Sequence, residues 1–597
     1  MVDTKTIELF RRDEMVFTVQ ELIEKALAAI GALFAGGHPI IVAYSGGKDS
    51  SVVAALVLHA AVLAKASGGN PLVIVTTGDT GVESPESQSL YQAETAKMRG
   101  FAKDHGVRLL TKTVQPTLLS TWQLKILSGR GLPSFPGSQS DCSVDLKIHP
   151  QRMFRRKLFR KLAQEKLPEP VTCLGTRLDE GQRRAAAMLV RGDRSDVPVR
   201  NKDGELILSP VRVWSTDDIW EAIAIYGGQQ YPSFSDFEET KRVYAHSSGT
   251  SCAVVADAIY EGGEKRGKGG CGARLGCHVC QVAEDKSLAN MIEYDARYAY
   301  AKGLNLLNRF IRNTRYDWQR RHWVGRTIKE GWVTIQPDTY HPSMIRALTR
   351  YMLQLDYDEE LRAASAGEQP KFRLLPLDVM IAVDAMQSLN GVAMPFSVWA
   401  DHRDIRQRGV RYDVPDVPAV KQSPIPVARF LHVGKEWDST ASNATWTGLR
   451  DPYFEALTER SGCAPELTTL RDGKLAWAVE TEPTFSVDLE SACLIEDFEV
   501  DRLLRMHDQG VMPGGVTTGY LWYLSYGCLS LSHAQQNEHD AICRRTAHKD
   551  RLGITCEYDI DALIGRSVGF ADLPPEARVA WGGKATTASA QVDLLFN

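Results

Sequence analysis

Residues Ser45-Gly46-Gly47-Lys48-Asp49-Ser50 have the makeup of a phosphate cradle. Adjacent glycines let the backbone curl at positive φ, and curled amides at a helix start aim donors at an anion. Ser45 and Ser50 add hydroxyls and Lys48 adds charge, whereas Asp49 would repel a bare phosphate. Its carboxylate is therefore expected to hold Mg²⁺ or to cap the helix. The spacing is not Gly-x-x-x-x-Gly-Lys-Ser/Thr, so it is not a Walker loop. A second group is Cys271, Cys277 and Cys280, with Gly272 and Gly276 between them for tight turns. Thiolates at this spacing select zinc or iron–sulfur, or they act as redox thiols. Zinc would take a fourth ligand from Cys252 or His278, and a cubane cluster takes four cysteines or three with one iron open. Arg177 and Arg183 can clamp a leaving pyrophosphate, the plainer alternative being a solvated helix start. His539, Cys543, His548 and Cys556 form a weaker set, the first pair at helical i, i+4 spacing. Cys173 sits in an apolar strand as inert core.

The elements that position these groups read as alternating strands and helices. Thr18–Phe34 is amphipathic and stops at Gly36-Gly37. Apolar runs at Ile40, Pro71–Thr76, Val107–Thr111, Val171–Gly175 and Leu206–Val211 read as strands. Between them lie helices over Val52–Ala66 and from a Ser84 cap to about His105. The pattern predicts an α/β, doubly wound, mostly parallel sheet. Ligands bind such sheets at strand carboxyl ends, where both the Ser45 loop and the Asp79 turn fall. Asp79 therefore joins the nucleotide-binding candidates. Ser215 with Asp218 predicts a capping box.

The composition excludes little by itself. The chain has 597 residues, 43% apolar and 24% charged, with 70 Lys and Arg against 74 Asp and Glu. A net charge of −4 means that nucleic-acid binding must come from a local patch. No apolar run is long enough for a bilayer, and Met1–Arg12 has no signal-peptide core, so the expectation is a cytoplasmic protein without membrane contact. Eleven cysteines are too sparse for a disulfide scaffold.

The SGGKDS loop resembles that of the PP-loop ATP pyrophosphatases. Gly175-Thr-Arg-x-x-Glu-x-x-Arg183 and Pro210-Val-Arg-Val-Trp-Ser-x-x-Asp-Ile-Trp220 resemble segments of the phosphoadenosine-phosphosulfate reductase superfamily. Asp141-Cys-Ser-Val-Asp-Leu-Lys-Ile-His-Pro150 is similar to its cysteine–lysine–proline segment. Cys252 with Cys271-Gly-Ala-Arg-Leu-Gly-Cys277-His-Val-Cys280 resembles the ATP pyrophosphatase of bacterial DNA phosphorothioation systems, the Dnd and Ssp type. The resemblance runs over Met15–Leu355. It implies an adenine-nucleotide alpha-hydrolase-like fold, ATP and Mg²⁺ as ligands, and release of AMP and pyrophosphate. It further implies a 4Fe-4S cluster on Cys271, Cys277 and Cys280 with Cys142 or Cys252 as the fourth residue, and Cys142 as a sulfur carrier. Lys48, Asp49, Arg177 and Arg183 would be catalytic. A cysteine desulfurase, the other phosphorothioation subunits and DNA would be the partners. The runner-up functions are a sulfonucleotide reductase and a tRNA thiolase. The reductase usually needs a C-terminal cysteine, and Ser589–Asn597 has none. A scaffold without turnover is the reading outside catalysis.

Two runs offer basic patches: Arg152, Arg155, Arg156, Lys157, Arg160 and Lys161, then Arg309 to Arg326 interleaved with aromatics. Either suits a nucleic-acid strand or is a solvated helix face. The expected divisions are 1–240 for the ATP pyrophosphatase domain and 241–355 for the cysteine and basic helical region. A connector with a Pro-rich strap follows at 356–426, and a mixed C-terminal domain, in which partner docking is the default role, at 427–597. Within the last, Thr468–Glu480 reads as a hairpin turning at Asp472-Gly473, and Asp488–His507 as a helix.

Overall fold

The computed structural model describes residues 17–136, 141–248, 276–438, 467–469, 473, 475–477, 481–509 and 516–582. A six-stranded sheet organises the first 230 residues, in the order β3-β2-β1-β4-β6-β5. Its strands are β1 (Ile40–Ala43), β2 (Leu72–Gly78), β3 (Arg108–Val114), β4 (Val171–Cys173), β5 (Val199–Arg200) and β6 (Leu206–Leu208). All neighbours pair in parallel except β5 with β6. The fold is therefore α/β with a mostly parallel sheet. β1 lies between β2 and β4, so the chain reverses direction of growth there, and the crevice at its carboxyl end is where such sheets take ligands.

Local rules account for the helices around the sheet. α1 (Val19–Ala35) opens on a capping box between Thr18 and Glu21 and ends at Gly36. α2 (Lys48–Ala66) is apolar almost all round because it is buried against both α1 and the sheet. It is long and apolar enough to cross a membrane, but 67% of that window is buried within the protein. α3 (Pro85–Asp104) starts after Ser84 with Pro85 in its first turn. Ser84 makes no side-chain cap bond; the ring-fixed φ of Pro85 starts the helix instead. α4 (His149–Gln164) is preceded by a π-helical turn over Val144–Ile148. α5 (Gln182–Arg191) follows β4, and α6 (Thr216–Gly227) carries the Ser215–Asp218 capping box expected from sequence.

The remainder is not a string of separate units. α7 (Glu238–Ser248), α8 (Lys286–Tyr294) and α9 (Lys302–Asn313) lead into strands β7 (Arg321–Lys329) and β8 (Trp332–Tyr340). α10 (Pro342–Ala366) runs straight through the expected division at 355. The segment read as a connector contains α11 (Leu377–Leu389), buried along almost its whole length, and α12 (Ser397–Gln407). β9 (Arg429–His432) then pairs with β8 and completes a three-stranded sheet begun a hundred residues earlier. The helices α13 (Leu489–Asp508), α14 (Thr518–Ser525) and α15 (His533–Arg551) close the same apolar core as α9, α10 and α11. The expected hairpin is present as Leu467–Thr469 against Leu475–Trp477.

Candidate active site

The phosphate loop sits where the sheet requires it. β1 ends at Ala43 and the chain turns through Gly46 at φ +77°, a conformation that costs side-chain-bearing residues energy. A Cβ on Gly46 would come within 3.3 Å of Tyr91 Cβ. The Ser45 and Ser50 hydroxyl oxygens lie 3.1 Å apart, and the Ser50 hydroxyl donates to the Gly47 carbonyl at 2.9 Å. The Lys48 amide donates to the Tyr244 hydroxyl at 3.1 Å. Across the crevice, a Cβ on Gly175 would lie 3.0 Å from the Asp49 carbonyl carbon and the Ser50 nitrogen. A glycine after β4 thus lets the β4 exit touch the start of α2. This cradle, with no Cβ on its inner turn and hydroxyls around it, suits the phosphates of ATP.

Asp49 is not the helix cap; that position is Gly47, which has no side chain to cap with. Asp49 instead binds two cations. Its Oδ2 pairs with Lys48 Nζ at 2.9 Å and its Oδ1 with Arg177 Nε at 2.6 Å. Arg177 is only 1% exposed. It donates further to the Trp214 carbonyl at 3.1 Å and the Thr216 hydroxyl at 3.3 Å. All three guanidinium nitrogens are therefore committed to the protein. Arg177 lies beneath the loop as a tie between β4, α2 and α6, not as a free pyrophosphate clamp. Arg183 is the second residue of α5, and its side chain lies outside the described residues.

Asp79 ends β2, and its carboxylate is held by the Gly81 amide and the Gln115 side-chain amide, each at 2.9 Å. This stiffens the turn that leads to Glu83, and Glu83 joins the two chemistries. It forms an antiparallel bridge with Cys277, and its carboxylate pairs with Lys147 at 2.7 Å. The Asp79–Glu83 turn is thus attached to the thiols on one side and to the Cys142 segment on the other. Cys142, Cys277 and Cys280 are all half-buried. The Ser134 amide donates to Cys142 Sγ at 3.3 Å, and the Ala283 amide to Cys280 Sγ at 3.4 Å. Burial pushes the Cys277 thiol up to about 12, the Lys147 ammonium opposes this, and Glu83, Cys280 and Cys142 reinforce it. Cys142 and Cys277 both pack against the same apolar core. Cys252 and Cys271 lie outside the described residues. Among the described residues no three His, Cys, Asp or Glu side chains close on one metal position. Three soft thiols drawn from two segments are nonetheless the donor set that an iron–sulfur cluster or zinc takes.

Several supports carry no motif. Asn308 donates to the carbonyls of Cys277 and Cys280 at 3.3 and 3.0 Å, and Arg315 donates to that of Gln281 at 2.7 Å. Asn308 was legible as a polar residue on the buried face of α9, and Gln115 as a residue just past the end of β3. Tyr244 gives no sequence signal. The Arg309–Arg326 run is largely used internally. Arg309 pairs with Asp416 at 2.8 Å, Arg312 with Glu284 at 2.7 Å and Arg320 with Asp317 at 3.0 Å. Arg321 is fully buried over the Tyr340 ring. On α4, Arg152 and Arg155 pair with Asp203 and Glu205, while Arg156, Lys157, Arg160 and Lys161 are exposed. The His539 set is structural: His539 bonds Tyr520, His548 bonds the Val433 carbonyl and Cys543 is core.

No family model matches the chain, and no curated protein does. Among solved structures it is similar to a phosphoadenylyl-sulfate (PAPS) reductase from Candida auris in a phosphate complex, at 11% identity and a TM-score of 0.21, over 39% of this chain and 90% of that one. It is also similar to the U34-tRNA thiolase NcsA from Methanococcus maripaludis with its 4Fe-4S cluster, at 15% identity and a TM-score of 0.21, over 40% of this chain and 77% of that one.

Proposed function

We propose that this protein is a PP-loop ATP pyrophosphatase that activates a DNA phosphate for sulfur insertion. The observation that carries the reading is the Glu83–Cys277 bridge. It joins the turn flanking the phosphate loop to the thiols, so that an activated oxygen and a sulfur source share one wall. A phosphate diester repels an incoming sulfur anion. Attack by its non-bridging oxygen on the ATP α-phosphorus expels pyrophosphate, removes the repelling charge and installs AMP as a leaving group. A sulfide-level nucleophile then forms the P–S bond and AMP departs; where the nucleophile is a persulfide, a second thiol breaks its S–S bond afterwards, taking the inner sulfur into a disulfide and leaving the sulfur on phosphorus. Lys48 and the Ser45–Ser50 donors stabilise charge on the β- and γ-phosphates. Asp49, held by Arg177, orients Lys48, and its carboxylate would hold the Mg²⁺ that accompanies ATP. Cys142, Cys277 and Cys280, with Cys271, would hold a 4Fe-4S cluster, which supplies a soft site for sulfur delivered by a cysteine desulfurase. The exposed cations of α4, from Arg156 to Lys161, which make no ion pair among the described residues, supply a face for the DNA backbone.

The test is product identity. Protein prepared without oxygen and given ATP and Mg²⁺ is expected to release AMP and pyrophosphate. ADP and orthophosphate would overturn the assignment. Mass spectrometry of nucleic acids from cells with and without the gene is expected to show phosphorothioate loss from DNA. Unchanged DNA with loss of thiolated tRNA bases would replace DNA by tRNA as the acceptor.

A further inference from the structure

A cleft of about 790 Å³ opens beside the Asp79 turn. One wall is Asp79, Gly81 and the α3 residues Gln88 and Gln92; the opposite wall is the segment Glu368–Leu374 between α10 and α11. That second wall is built, not loose. The Asp356 carboxylate accepts from the Leu374 and Leu375 amides at 2.6 and 2.8 Å, and Glu359 accepts from the Lys371 amide at 2.6 Å. At its floor is His278, 3% exposed, whose two ring nitrogens make no hydrogen bond of normal geometry among the described residues; the Glu83 backbone is the polar group acting on it. A buried imidazole without partners costs free energy unless a ligand supplies them.

The lining identifies the ligand. Of its acidic groups, Glu83 is paired with Lys147 and Glu368 with Arg362 at 3.1 Å, while Asp79 is held by the Gly81 and Gln115 amides without a cation; Arg373 is taken by Glu360 at 2.7 Å. The Lys371 ammonium is exposed and makes no ion pair among the described residues. Phe372 lines the cleft, backed by the Tyr300 ring at 6.4 Å and 29°, and Arg362 lies over the other ring of that pair, 5.6 Å from the Tyr300 centroid. A supported aromatic face, carboxamides that both donate and accept, and a single free cation fit a base with its phosphate. They do not fit an acidic peptide, for which one free cation is too few. None of the loop residues Ser45–Ser50 lines the cleft, so the ATP phosphates bind outside it.

We infer that this cleft takes one unstacked nucleotide of the acceptor DNA strand, stacked on Phe372 with its phosphate at Lys371. The inference rests on the ATP-dependent reading above. It places the backbone of the next nucleotide across the Asp79–Glu83 turn, between the phosphate loop and the thiols.

The experiment uses the full chain and a fluorescein-labelled single-stranded DNA dodecamer, with binding read by anisotropy and the KM for ATP measured on the same samples. Phe372→Ala is expected to weaken oligonucleotide binding about tenfold, and Phe372→Trp to retain it. Lys371→Glu is expected to weaken binding and to reduce the slope of log K against log salt by about 0.7, one phosphate contact on a single strand. The KM for ATP is expected to stay unchanged in all three. A tenfold rise in that KM with unchanged oligonucleotide binding would make the cleft the adenosine site and overturn the inference; so would no change in either. Release of ADP would instead sink the ATP pyrophosphatase reading while leaving the oligonucleotide measurements to decide the cleft.

Discussion

At the scale of single residues, the two cations of the phosphate loop do different work. Lys48 reaches the crevice from the first turn of α2 and is held by one carboxylate oxygen. Arg177 is enclosed, and its charge is balanced by Asp49. Removing one member of a buried pair costs roughly 3–5 kcal/mol, because the other charge remains without a partner. Arg177→Ala is therefore expected to lower stability by about that amount. Arg177→Ala combined with Asp49→Ala is expected to recover part of it, a coupling of about 1–3 kcal/mol in a double-mutant cycle followed by denaturant unfolding. Lys48 is also buried against Asp49, so Lys48→Ala is expected to lower stability, by less than Arg177→Ala because Arg177 still balances Asp49, and to cut AMP formation about 100-fold. If Arg177→Ala unfolds like wild type and loses only turnover, Arg177 is a free clamp and the buried-tie reading fails. For the same reason Asp49→Asn, which keeps the volume, is a cleaner probe of the carboxylate than Asp49→Ala.

At the scale of elements, the contacts that hold the thiol loop among the described residues include the Glu83–Cys277 bridge, the Asn308 amide of α9, Arg315 on the Gln281 carbonyl and the Gln281 side chain on the Pro133 carbonyl. Asn308→Leu leaves the Cys277 and Cys280 carbonyls without their donor, at a cost of about 1–3 kcal/mol to the loop. Anaerobic protein carrying this change is expected to lose iron to a chelator several-fold faster than wild type. Equal loss rates would show that Asn308 does not hold the loop. What was legible in the sequence follows the range of the interactions. The Ser45–Ser50 loop, the Ser215 cap and the Leu467–Trp477 hairpin are local, so residue type and spacing define them. The expectation that Cys142 shares a site with Cys277 came only through family resemblance, since the two are 135 positions apart. The Arg309–Arg326 run could not be read correctly from its own composition. Apart from Asp317 its acids lie elsewhere in the chain: Glu284 precedes it and Asp416 follows about a hundred residues later. The role of α11 was missed because apolar residues all round a helix look the same in a linker-flanked stretch as in a core, until the neighbouring helices are known.

At the scale of the whole molecule, the C-terminal helices close the core over a buried acidic group. The Tyr523 hydroxyl lies 2.6 Å from Glu496 Oε1 and 3.2 Å from Asp384 Oδ2, joining α14, α13 and α11. Asp384 also accepts from the Val398 and Trp399 amides. Burial pushes the Asp384 carboxyl up to about 7 and raises Glu496 well above the usual range; Asp401 adds to the shift at Asp384 and Asp384 to that at Glu496, while the amides and Tyr523 oppose the shift at Asp384. Such a raised value has a definite sign. Between the unfolded carboxyl value near pH 4 and the folded value near pH 7, the folded chain binds more protons than the unfolded one. Stability contributed by this group therefore falls as pH rises through that window and is constant above it. Asp384→Asn cannot ionise, so the difference in Tm between wild type and this variant isolates the group from the other carboxylates of the chain. Wild type is expected to lose stability relative to Asp384→Asn from pH 4 to pH 7, by several degrees in Tm, with no further change from pH 7 to pH 8. A difference that stays flat across pH 4 to 7, or runs in the opposite direction, would mean that Asp384 is ionised in the folded protein, stabilised by the Val398 and Trp399 amides. The closure of α13 and α14 over α11 would then be independent of proton binding at Asp384.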